Sequence, residues 1–136
     1  MSFPRGGNDG SPRGCANAGR MPLKRYAVRC DERRGVLAAA LERVLAVCRD
    51  EPEVREVFVF GSFATGRIGP TSDLDVLVVR ETTLGAVDRV ADLSLALRPP
   101  AAVDLIVVTP SELASTFAAS SFGRTVLGQA RRIYAA

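Results

Sequence analysis

Three aspartates carry the chemistry that this sequence can support. Asp73 and Asp75 stand two residues apart at the head of an apolar run, D-L-D-V-L-V-V, and Asp104 lies near the start of another, V-D-L-I-V-V. Both runs are rich in Val, Leu and Ile, so each predicts a strand. Strand side chains alternate between faces, which puts Asp73 and Asp75 on the same one. Neighbouring carboxylates repel each other and lose solvation, and a divalent cation between them relieves both costs. A single carboxylate in an apolar strand also needs a partner, unless it sits at an exposed edge. Asp104 is therefore the third candidate ligand. Oxygen-only ligands suit Mg²⁺. Two such ions, about 4 Å apart, can clamp the attacking and leaving oxygens of an in-line displacement at phosphorus. In that arrangement Asp73 and Asp75 bridge both ions. Asp104 holds the ion nearest the attacking hydroxyl and can take its proton.

A phosphate-holding turn stands upstream of the carboxylate pair. The run V-F-V-F, residues 57–60, stops at Gly61-Ser62. Glycine lets the backbone approach a phosphate, and the Ser62 hydroxyl and nearby amides can donate to its oxygens. Taken alone, G-S is only a tight connection between two strands. Placed at a short distance before D-x-D, it completes a site for a nucleoside triphosphate. The chemistry is attack on the α-phosphate with pyrophosphate leaving.

The elements that must position these groups can be read from periodicity and punctuation. Leu37, Leu41, Val44, Leu45 and Cys48 form a stripe of period 3.6, which predicts a helix over 31–49 with Asp31 as its cap. Cys48 falls on that stripe and reads as a packing residue. A strand is expected over 54–60, with a short helical turn at 63–65 and a further turn at Gly69-Pro70. Residues 84–97 predict a helix whose apolar face comprises Leu84, Val87, Val90, Ala91, Leu95 and Leu97, stopped by Arg98-Pro99-Pro100. After the strand at 103–108, Thr109-Pro110-Ser111-Glu112 has the form of a capping box with Pro at the first helical position. That helix should reach about Ala119. One or two further turns span 122–127 with Gly128 as C-cap, and a short edge strand is expected at 132–134. The fold class is α+β, a small mixed sheet flanked by helices.

Composition narrows the class further. A chain of 136 residues with 47% apolar content is long enough for one real core. No apolar run approaches the roughly 18 residues that cross a bilayer, so no membrane is expected. There is no histidine, and the three cysteines are widely spaced. That removes His-based triads and the usual zinc sites, and suits a reducing cytoplasm. Six basic residues among the first thirty face only Asp9, giving +5 there and −2 in the remainder. The body is thus not a general basic surface, and direct nucleic-acid binding is not expected. Residues 1–20 are rich in Gly, Pro, Ser and Asn, and bury too little to offset their ordering entropy. The expected organisation is a disordered basic tail over 1–30 and one domain over 31–136. Met21 is an alternative start, and a basic arm for nucleic acid is the other reading of the tail.

With its order of elements, the pattern G-S-x10-D-x-D followed by a strand Asp resembles the nucleotidyltransferase superfamily that includes DNA polymerase β. The stretch F-G-S-F-A-T-G-R-I-G-P-T-S-D-L-D-V-L-V looks especially like the minimal nucleotidyltransferases, the antitoxins of HEPN/MNT toxin–antitoxin modules. The resemblance covers about residues 31–136 and implies a polymerase β-like nucleotidyltransferase fold. It implies metal ligands at Asp73, Asp75 and Asp104, two Mg²⁺ ions, ATP as substrate and a phosphate turn at Gly61-Ser62. It also implies a helical HEPN ribonuclease toxin as partner, silenced when AMP is transferred to one of its tyrosines. Many relatives have arginine where this chain has Thr65, so Arg67 is expected to supply that positive charge. The alternatives are a small-molecule adenylyltransferase of the aminoglycoside-modifying kind and a module that blocks a toxin by docking alone.

Overall fold

A computed structural model describes residues 22–98 and 103–136. The expectations for residues 1–21 and for the helix stop at Pro99-Pro100 lie outside the described residues. In chain order the elements are α1 (Leu23–Arg49), β1 (Val54–Phe60), α2 (Gly61–Thr65), β2 (Leu74–Arg80), α3 (Ala86–Leu97) and β3 (Val103–Val108). There follow α4 (Pro110–Glu112), continued by a π-helical segment Leu113–Phe117, then α5 (Ser121–Gln129) and β4 (Arg131–Ala135). The four strands form one mixed sheet in the order β3-β2-β1-β4. β1 is antiparallel to both neighbours, while β2 and β3 run parallel. Parallel neighbours need a crossover, which α3 provides. Among the described residues no helix is long and apolar enough to cross a membrane.

Strand alternation divides the core in two. Val57, Val59, Leu74, Val76, Val78 and Val107 face α1 and α3, where they meet Leu37, Ala40, Val44, Cys48, Leu93 and Leu97. Phe60, Leu77, Val79 and Val108 face the other way and are covered by Val126 of α5, with Leu113, Phe117 and Leu127 around them. The predicted stripe on α1 is the buried one. Burial pushes the Cys48 thiol up to about 11, so it is a packing group with little thiolate character.

Three expectations need correction. α1 begins at Leu23, so residues 23–30 are helical rather than part of a tail. Asp31 does not cap it; on an exposed turn it pairs with Arg34, 3.0 Å away. An acidic pair inside a solvated helix looked like a helix start. On α3 the buried positions are Arg89, Leu93 and Leu97, whereas Val87 and Leu95 are 81% and 76% exposed. A charged residue on the inward stripe concealed it. Finally, Gly128 lies within α5, which runs to Gln129 and ends at an extended Ala130 before β4.

The capping box forms as predicted. The Glu112 amide donates to Thr109 Oγ1 at 3.1 Å, and the Thr109 amide donates to Glu112 Oε1 at 3.0 Å. Glu112 has a second task. Buried Arg89 grips both its oxygens, at 2.6 and 3.0 Å, and donates through Nε to the Leu84 carbonyl at 2.8 Å. This bidentate pair joins the crossover helix to the end of β3. The hydrogen bond from Arg89 is the main cause that holds Glu112 below its usual carboxylate range. Its stabilisation is present at neutral pH and is lost as the pH falls through that lowered value. Replacing Arg89 with Met should cost about 2 kcal/mol at pH 7, because the half-buried Glu112 carboxylate loses both bonds from the guanidinium and keeps only that from the Thr109 amide. The loss should shrink in acid. Urea denaturation at both pH values measures it.

Candidate active site

Parallel pairing of β2 with β3 places Asp75 directly beside Asp104. Their strand positions share the sheet face of Leu77 and Val79, two residues before the part of β2 that is buried beneath Val126 of α5. Asp73 stands one residue before β2, two before Asp75. Asp104 is exposed and Asp75 half-buried. Burial first, then the charge of Asp104, a hydrogen bond between the two carboxyls and the charge of Asp73 raise Asp75 to about 6. Two of the three predicted carboxylates thus meet across neighbouring strands.

Gly61 packs against the Asp75 member of this pair. Its φ is +70°, and a Cβ there would stand 2.1 Å from Asp75 Oδ2. Only glycine fits, both for the left-handed backbone and for the approach of the carboxylate. The sequence assigned that closeness to a phosphate; the structure shows Asp75 also requiring it. Gly61 donates its amide to Gln129 Oε1 at 3.2 Å. Gly61, Ser62, Thr65, Arg67 and Gln129 line one open cleft of about 540 Å³. All three predicted phosphate-side residues therefore share a cleft, and Thr65 and Arg67 line it together.

Sequence reading missed two residues. Gln129 was hidden because Gly128 looked like a helix end. Arg33 of α1 lies 3.6 Å from Asp73 Oδ1 and donates through Nε to the Ser72 carbonyl at 2.6 Å. No local pattern announces a contact between residues forty positions apart. Arg33 draws Asp73 toward α1. Among the described residues no group of three or more His, Cys, Asp or Glu side chains is gathered closely enough to hold a metal ion. The donor set still suits a hard divalent cation. It is all oxygen, and its crowding leaves Asp75 reluctant to ionise.

That reluctance predicts a pH effect. A carboxyl raised from 3.8 to about 6 on folding contributes stability below about pH 4 and loses it as the pH climbs past 6. Asp75→Asn should therefore melt a few degrees above the parent at pH 8. The difference should vanish near pH 3.5. Thermal melts of both proteins across this range measure it.

Comparison with known proteins places the arrangement in a family. Residues 41–122, more than half the chain, match the nucleotidyltransferase domain model. No curated protein matches the sequence. A solved structure from Sulfolobus solfataricus, provisionally assigned as a nucleotidyltransferase, is similar at 27% identity and a TM-score of 0.58, over 79% of this chain and 87% of that one. A toxin–antitoxin structure with AMP-PNP is similar at 26% identity and a TM-score of 0.50, over 70% and 73%. The family model spans both G-S and all three aspartates, and the mixed sheet sets Asp75 against Asp104 beside Gly61: this chain belongs to the nucleotidyltransferase domain family.

Proposed function

We propose that this protein is an antitoxin nucleotidyltransferase of the cytoplasm that moves AMP from ATP to a tyrosine of a helical HEPN-type toxin. The observation that carries the reading is the pairing of Asp75 with Asp104, with Asp75 packed against Gly61, which also lines the cleft of Ser62 and Arg67. The similar toxin–antitoxin structure, which holds a nucleotide analogue, supports the choice of partner and substrate.

Each residue has a role that its position allows. Ser62 and Arg67 hold the β- and γ-phosphates by hydroxyl donation and positive charge. Asp104, exposed on its strand, accepts the proton of the incoming phenol. The phenolic oxygen bonds to the α-phosphorus, the bond to the bridging oxygen of the β-phosphate breaks, and pyrophosphate leaves. Asp73, Asp75 and Asp104 would hold two Mg²⁺ ions, whose chemistry is to neutralise the charge gathering on the phosphates. Gly61 keeps the Asp75 carboxylate in place by leaving room for it.

The test is transfer of label from α-labelled ATP, with Mg²⁺, to a helical HEPN-type toxin co-expressed with this chain. Label should appear on the partner and be absent when its acceptor tyrosine is Phe. Asp104→Asn should slow transfer by at least about 100-fold without lowering Tm, since it removes the proton acceptor but keeps the shape. Label on an aminoglycoside instead would make the protein a small-molecule transferase. Full neutralisation of the toxin by an Asp75→Ala/Asp104→Ala variant would make docking the mechanism.

A further inference from the structure

Gln129 belongs to none of the motifs, yet it closes the cleft that the glycine turn opens. It is the last residue of α5, and β4 begins two residues later. Antiparallel pairing sets Arg131 opposite Val59 and Arg132 opposite Phe58. The end of α5 is therefore held beside the end of β1, where Gly61 follows. Arg131 adds a tie of its own, donating to the Ala64 carbonyl at 3.3 Å. Position 129 is thus built into the frame of the site although it is distant in sequence.

The chemistry of the contact fixes which way the Gln129 amide is turned. Gly61 offers an N–H, a donor, so the group facing it must be the carbonyl oxygen, Oε1, at 3.2 Å. The primary amide nitrogen then faces away from Gly61. Among the described residues Nε2 has no hydrogen-bond partner, while the side chain lines the cleft with Ser62, Thr65 and Arg67. The Gly61 amide is already engaged, so it is not a free donor for a phosphate. Its hydrogen bond instead orients a side chain with two N–H donors at the wall of that cleft. The Thr65 hydroxyl is likewise engaged, donating to the Ser62 carbonyl at 3.4 Å, so the donors left at the wall are the Ser62 hydroxyl, the Arg67 guanidinium and the oriented carboxamide, the chemistry that receives phosphate oxygens.

We infer that Gln129 is a binding residue for the phosphates of the nucleoside triphosphate, held by the Gly61 amide and donating through Nε2. This rests on the nucleotidyltransferase reading above and extends it to a residue outside the family's signature. Gln129 takes no part in proton transfer or in holding metal; its contribution is to the affinity for the triphosphate.

Gln129→Glu isolates this role. Glutamate has nearly the same shape and still accepts from Gly61, so the brace survives. The two donors are replaced by negative charge facing the phosphates. The KM for ATP should rise about tenfold or more, with kcat within about twofold and Tm unchanged, the signature of lost uniform binding. The effect should shrink at high salt, since the site is open to solvent. Inorganic tripolyphosphate, which has no base or sugar, should compete with ATP in the parent and weaken by a similar factor in the variant. Gln129→Asn serves as a second variant, too short to span the gap, and should raise KM by a smaller factor without adding charge.

Several results overturn the inference. An unchanged KM in Gln129→Glu makes Gln129 a brace for Gly61 and nothing more. A fall in Tm together with activity likewise makes it a brace. Weakened ATP with unweakened tripolyphosphate assigns the contact to the nucleoside. Failure of the parent protein to bind ATP at all, in a direct titration with a fluorescent ATP analogue, removes the nucleotidyltransferase reading itself and is distinguishable from each of these.

Discussion

The constraint on which the structure depends is the crowding of negative charge where β2 and β3 begin. Parallel pairing sets Asp75 beside Asp104, with Asp73 one residue before the strand. Apolar packing alone would not choose this arrangement, because burial and like charge both oppose it. The surrounding fold holds it. The large core on the α1 and α3 side buries Leu74, Val76 and Val78 of β2. Burying those residues fixes which way their neighbours face, since a slip of one residue would turn the aspartates inward. The Arg89–Glu112 pair fastens the crossover helix to the segment leaving β3. What looks like ordinary packing on one side of the sheet thus sets the electrostatics on the other.

The turn after β1 shows the same economy. Gly61 does three things in one position: it ends the strand, takes a left-handed backbone, and leaves space for the Asp75 carboxylate. A side chain there would collide with the carboxylate before any ligand arrived. The short helix α2 then leads away from the pair, so that Ser62, Thr65 and Arg67 share one cleft. The C-terminal segment completes it from behind. β4 covers the edge of β1, which would otherwise expose a row of unpaired backbone groups, and the same pairing fixes the end of α5 beside Gly61.

Much of this was legible in the sequence, for physical reasons that also mark where reading failed. The strands at 54–60 and 103–108 stood out because runs of Val, Ile and Phe have few other homes. The capping box at Thr109 was readable because both of its bonds are local. The carboxylates were visible as charges in apolar runs, and only the parallel register makes Asp75 and Asp104 neighbours. Reading failed where a distant partner overrode a local signal. Arg89 belongs to the buried face of α3 because Glu112, twenty-three residues away, neutralises it. Periodicity scored it as a solvent residue and so rotated the helix the wrong way. Asp31 resembled a cap, yet α1 continues eight residues upstream. Gln129 and Arg33 carried no pattern, since each matters through one long-range contact.

The three aspartates are not equivalent, and the difference follows from how each is balanced. Asp73 is partly exposed and faces Arg33 at 3.6 Å, a separation and setting at which an ion pair contributes at most about 1 kcal/mol. Asp75 is crowded instead: burial, then the charges of Asp104 and Asp73, raise its carboxyl to about 6, which favours a bound proton. Neither balance is strong. An arginine in a weak pair is easily drawn off, and a proton bound at that pH leaves readily at neutral pH. Both compensations therefore hold the folded charge cluster together while leaving the oxygens open to a stronger positive ligand. A buried Arg–carboxylate pair such as Arg89–Glu112 has the opposite character, with bidentate geometry and low exposure of the guanidinium. Arginine with a carboxylate serves as a permanent fastener at one end of β3 and as a lightly held reserve of charge at the other. Burial and hydrogen-bond geometry, rather than residue identity, decide between the two.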